Sequence, residues 1–115
     1  MHRTAMIFTL GLLIAPLGAV ADDMAGMEMG KSPADKAFAQ SMQTMMKGMD
    51  VKPTGNPDKD FVVMMIPHHQ GAVDMANVEL QYGKDPEMRQ LATDIVAAQK
   101  KEIAEMKAWL AKHGG

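Results

Sequence analysis

Met64-Met65-Ile66-Pro67-His68-His69-Gln70-Gly71-Ala72-Val73-Asp74-Met75-Ala76 is the stretch that decides how this chain folds. Each residue of a helix turns about 100° around its axis, so His68 shares a side with Met64, four residues before it, and Met75, seven after it. His69 lies about 100° further round, with Met65 four residues before it. Pro67 and Gly71 stand inside what otherwise reads as one helix. A methionine stripe at helical spacing commonly fills a core, and a lone histidine on an apolar face is commonly a hydrogen-bonded packing residue. A histidine pair with a thioether four residues before each member is poorly explained that way. Imidazole and thioether together form a soft-to-borderline donor set that suits copper better than magnesium or calcium. Spacing alone leaves both readings open.

Working outward, this helix is expected over 58–82. Asp58 opens it, with Asp60 in the first turn. Phe61, His68, Met75 and Tyr82 recur every seven residues. Val62, Ile66, His69, Val73, Ala76 and Leu80 make a second stripe. Together they span about 200°, wider than a surface helix needs, which predicts a central helix contacted on two sides. Pro67 removes a backbone hydrogen bond and is expected to kink the helix, either opening space for an ion or bending it around the core. Glu79 falls within the arc, where a carboxylate needs a partner such as a lysine of the following helix, or an interface edge.

Before it, Asp50 to Pro57 is loop chemistry. Ser32-Pro33-Ala34-Asp35 reads as a helix start, predicting a helix over 33–49. Phe38 and Met42 read as core. Met45, Met46 and Met49 crowd the end of that helix more than packing needs, so they are either ligands or core. After the central helix, Gly83 suits a left-handed cap and Asp85-Pro86 restarts a helix over 86–112. Its stripe runs Met88, Leu91, Ile95, Ala98, Glu102, Met106 and Trp109. His113 reads as an exposed residue at a frayed end. The expected fold is all-α: three helices, 33–49, 58–82 and 86–112, in an up-down-up bundle over 33–113. A broad apolar arc on so short a chain leaves room for dimerisation to complete a larger core.

The N-terminus reads as an export signal. Arg3 precedes a short apolar run, and Ala19-Val20-Ala21 is a small-x-small cleavage site, so residues 1–21 are expected to be removed after Ala21. The apolar core is shorter than the roughly 20 residues a bilayer span needs, so no stable membrane anchor is expected. The product would be periplasmic or secreted. Residues 22–32 form an expected flexible tail in which Met24, Met27 and Met29 are closely spaced thioethers. They are either a capture arm for Cu(I) or Ag(I) or an ordinary linker.

The chain has no Cys and 14 Met. Without Cys in an oxidising compartment, a soft metal would have to be held by Met. The net charge is −2 and nothing basic is clustered, so nucleic acid is not an expected partner. There is no Glu-x-x-His, no H-E-x-x-H, no G-x-S-x-G, no Walker loop and no dinucleotide fingerprint, so no enzyme is expected.

The run M-I-P-H-H-Q-G-A-V-D-M-A resembles the hallmark of a bacterial family of small helical proteins long catalogued as a domain of unknown function, and is similar to periplasmic copper-resistance proteins of the CopM type. Gln99 to Leu110 resembles that family's C-terminal helix, and the likeness covers about Asp58 to Leu110. The resemblance implies a ferritin-like helical bundle in the cell envelope that binds copper through His68, His69, Met64, Met65, Met75 and, across the bundle, Met106. The expected function is therefore sequestering or buffering of Cu(I) or Cu(II), in copper resistance or homeostasis, with hand-over to a copper-transfer partner protein left open. The competing expectation is a small interaction module whose Met-rich face binds a partner protein.

Overall fold

The structure, a computed structural model, describes residues 32–115. The expected signal segment 1–21 and the tail carrying Met24, Met27 and Met29 lie outside the described residues. Three helices follow in order: α1 (Pro33–Met49), α2 (Pro57–Tyr82) and α3 (Pro86–Lys112). No strand occurs among the described residues, and none of these helices is long and apolar enough to cross a membrane.

Local chemistry starts each helix. The Ser32 hydroxyl accepts from Asp35 N–H at 3.0 Å while the Asp35 carboxylate accepts from Ser32 N–H at 3.2 Å, a reciprocal cap with Pro33 in the first turn. Asn56, rather than Asp58, opens α2. Its side-chain oxygen accepts from the N–H groups of Asp58 and Lys59, so the helix begins one residue earlier, at Pro57. Asp85 caps α3 by accepting from Met88 N–H at 3.0 Å. The loop before α2 folds onto Asp60. Its carboxylate accepts from the N–H and hydroxyl of Thr54 and from Gly55 N–H, with Gly55 at φ +87°. These bonds, the Thr54 N–H first, hold the Asp60 carboxyl below its ordinary pKa because they favour the charged form.

The end of α2 differs from expectation. Gly83 is extended, with φ −69°, not left-handed. Glycine is needed there because a Cβ would come within 2.6 Å of the Glu79 carbonyl and would also meet the Glu79 carboxylate. Glu79 therefore folds over the turn. The one ion pair among the described residues is His69–Glu102, so Glu79 has no lysine of α3. α2 has no basic residue in its last turn, and Arg89 of α3 supplies the charge, donating to the carbonyls of Leu80 at 2.6 Å and Gly83 at 3.1 Å.

α2 is the central helix, and α1 and α3 each pack chiefly on it. Both pairs are antiparallel. Met45 meets Gly71 and Gly48 meets Pro67, while Glu102 meets His69 and Arg89 meets the end of α2. Around α2, the direction of Pro67 and Gly71 is nearly opposite that of Val62 and His69. The result is a three-helix layer, with α2 covered on two sides and open on two. One open side carries Gln70, Asn77 and Gln81, all exposed. The other carries Phe61, Met64, His68, Met75 and Tyr82, also exposed. The core is small: among the described residues the buried apolar ones are Val62, Val73, Ala76, Val78, Ala92 and Ile103, and no large side chain is completely buried.

Candidate metal centre

Gly71 and, on α1, Gly48 are explained by packing. A Cβ on Gly71 would meet the Cβ, Cγ and Sδ of Met45 at 2.9, 2.8 and 2.7 Å, so Met45 lies directly on the bare backbone of Gly71. A Cβ on Gly48 would meet the Cβ of Pro67 at 2.7 Å. The helices thus approach closely at two reciprocal points, each built from one glycine and one bulkier residue. α2 runs unbroken through Pro67. Met45, a candidate ligand by crowding, is accounted for by this contact. Met46 is exposed and Met49 half-buried, both at the α1 edge of the apolar side.

The two histidines, adjacent in sequence, stand in different surroundings. His69 is largely covered, its side chain 16% exposed, and both ring nitrogens are engaged. Nδ1 lies 2.9 Å from the Met65 carbonyl oxygen, one turn back, and Nε2 lies 2.5 Å from Oε2 of Glu102. A carbonyl can only accept, so Nδ1 carries a proton and donates it. That fixes the ring and aims Nε2 across the helix gap, where a proton is shared with the carboxylate. A metal ion could take Nε2 only by replacing that proton.

Sequence reasoning did not assign Glu102 a role. The signal was present: a carboxylate at a position of the α3 stripe otherwise filled by apolar residues, which at helical spacing faces α2.

His68 is exposed, its ring 6.1 Å from that of His69 between centroids and tilted by 59°. Met64 and Met75 are exposed on the same side of the helix, 37% and 38%. Among the described residues, no hydrogen bond engages the His68 ring. Met65 is half-buried beneath His69. Met106, one turn beyond Glu102, lines an open groove of about 560 Å³ with Asp58, Phe61, Val62, Glu105 and Trp109. His113 is exposed, as expected, and stacks on Trp109 at 4.1 Å and 16°, its Nδ1 2.7 Å from the Trp109 carbonyl.

Among the described residues, no three His, Asp or Glu side chains converge on a point that could hold an ion. An ion held on this side of α2 would have thioether and imidazole donors within reach. That mixture favours a soft, easily polarised ion, and Cu(I) or Ag(I) fits it better than a hard divalent cation.

Two comparisons with known proteins bear on this chain. Residues 16–110 match the family described as Domain of unknown function (DUF305). A protein of Acanthamoeba polyphaga mimivirus, itself described only as uncharacterized, is 45% identical over 53 residues. That match takes in 46% of this chain and 35% of the viral protein, so the chain spans about a third of its relative's length.

Proposed function

Starting from the fact that the chain belongs to the DUF305 family, we propose that it is an exported copper-binding protein that sequesters or buffers copper in the cell envelope. The carrying observation is the row Met64, His68 and Met75 on one side of α2, a nitrogen between two sulfurs, each partly open to solvent. The likeness of the M-I-P-H-H run to CopM-type copper-resistance proteins supports the same reading. His68 is the principal nitrogen ligand, and Met64 and Met75 supply sulfur. His69 is held by Glu102 and joins only when a metal displaces the shared proton from Nε2.

Cu(I) is the preferred state, because thioethers are poor ligands for Cu(II). Met24, Met27 and Met29, placed before α1, would act as a capture arm. Met46 and Met49 border the same side and would extend the sulfur surface. Met106 with its groove serves packing first.

Competition titration against a Cu(I) chelator tests this. His68→Ala and the pair Met64→Leu with Met75→Leu are each expected to weaken Cu(I) at least tenfold, about 1.4 kcal/mol. His68→Ala should leave the thermal midpoint nearly unchanged, since exposed positions cost within about 0.5 kcal/mol. Unchanged Cu(I) affinity in both variants would remove the proposal and leave the exposed row as a protein-binding surface.

A further inference from the structure

We infer that a second copy of this chain covers the apolar side of the layer, with the two α2 helices crossing it antiparallel about a two-fold axis. The side is extensive. Met46 of α1, Phe61, Met64, Met75 and Tyr82 of α2, and Leu91 of α3 are each between 37% and 64% exposed. With roughly 200 Å² for each such side chain, they present about 550 Å² of apolar surface, and half-buried Met42, Met49 and Trp109 add to it. That is near the top of what a monomer leaves bare and approaches the roughly 800 Å² per partner of a stable interface. The small core points the same way: among the described residues no large side chain of the layer is completely buried, as in a layer with a face still to be covered.

A second copy fits because the face is self-matching in length and in chemistry. α2 has 26 residues, and its midpoint lies between His69 and Gln70. Met64 and Met75 are equally far from that midpoint, and His68 is next to it. An antiparallel copy therefore sets Met64 against the other chain's Met75 and brings the two His68 rings together near the axis. Thioethers on both sides can adjust to one another's shape. The pairing itself does not depend on copper. Only a copper ion held between the two His68 rings would rest on the proposed function.

The chain contains no Cys, which permits a direct test on the protein purified with its native N-terminus and stripped of metal with chelator. Sedimentation is expected to give twice the chain mass at tens of micromolar. Phe61→Asp and Leu91→Asp should each give single-chain mass with helical circular dichroism retained, because both positions are exposed in one copy. Under a metal-free thiol oxidant, His68→Cys should form a disulfide-linked dimer, and Gln70→Cys, on the opposite side, should not. Single-chain mass at a hundred micromolar would overturn the inference, whether the face then binds a hydrophobic dye or is covered by residues before Ser32. A dimer that survives both aspartate substitutions, or one that crosslinks through Gln70→Cys and not His68→Cys, would overturn it too. Loss of copper binding with the dimer intact would strike the proposed function and leave this pairing standing.

Discussion

Along its seam with α1, α2 offers its smallest and its stiffest residue, Gly71 and Pro67, and the helices meet on carbon and sulfur. Along its seam with α3 it offers an imidazole, and the helices meet through the Glu102 carboxylate and, at the end, the Arg89 guanidinium. The first seam is specified by shape, and its buried polar side chain, Ser41 of α1, is satisfied within its own helix by donating to the Phe38 carbonyl. The second is specified by donors and acceptors and stays partly open to water, with Glu102 53% exposed. Together the seams account for His69 and Gly71, two of the residues that make the M-I-P-H-H-Q-G run distinctive. What they leave over is His68, Met64 and Met75, and it is these that need a function.

The close-packed seam should be the less forgiving. Gly71→Val puts a branched side chain where Met45 cannot retreat, because its own Cβ is among the clashing atoms. A loss of about 2–3 kcal/mol is expected, or on the order of 10–20 °C in thermal midpoint for a domain of this size. Gly71→Ala should cost less, since alanine gains about 1 kcal/mol of helix propensity over glycine. A Gly71→Val protein that melts with the parent would show that the helices can part at no cost, and the contrast between seams would fall.

The polar seam should yield a smaller effect. His69→Ala removes the bonds to Met65 and Glu102 together, and about 1–2 kcal/mol is expected by urea denaturation. Glu102→Gln should cost less than about 1 kcal/mol, because exposed ion pairs are screened. A Glu102→Gln loss as large as that of Gly71→Val would mean that the clasp, not the glycine contact, holds the layer.

The smallest effect is expected away from both seams, at Asp60. Its pKa is lower folded than unfolded, so its contribution is fully present above the unfolded value, near 3.9, and is lost as pH falls through the folded value. Asp60→Asn should therefore be slightly less stable than the parent at pH 7, with the gap closing in acid. A gap in urea midpoint that widens below pH 4 would contradict the assigned hydrogen bonds.

The sequence by itself determined the three helices and their ends. Ser32 with Asp35, Asn56 with Asp58 and Lys59, and Asp85 with Met88 are contacts within three residues, so the helix starts are written locally. The central place of α2 was legible too, because an apolar arc wider than one neighbour can cover requires two. Only the tertiary structure decided why glycine stands at 71 and which histidine is free. Gly71 answers to a methionine on another helix, whereas Gly83 answers locally, to the fold of Glu79 over its own turn rather than to a positive φ. His69 answers to a carboxylate 33 residues away. Periodicity reports which side of a helix is apolar, but not which residue of the neighbouring helix lies opposite. That register is set by the fit of side chains between helices, and it separated His69 in its clasp from His68 in the open.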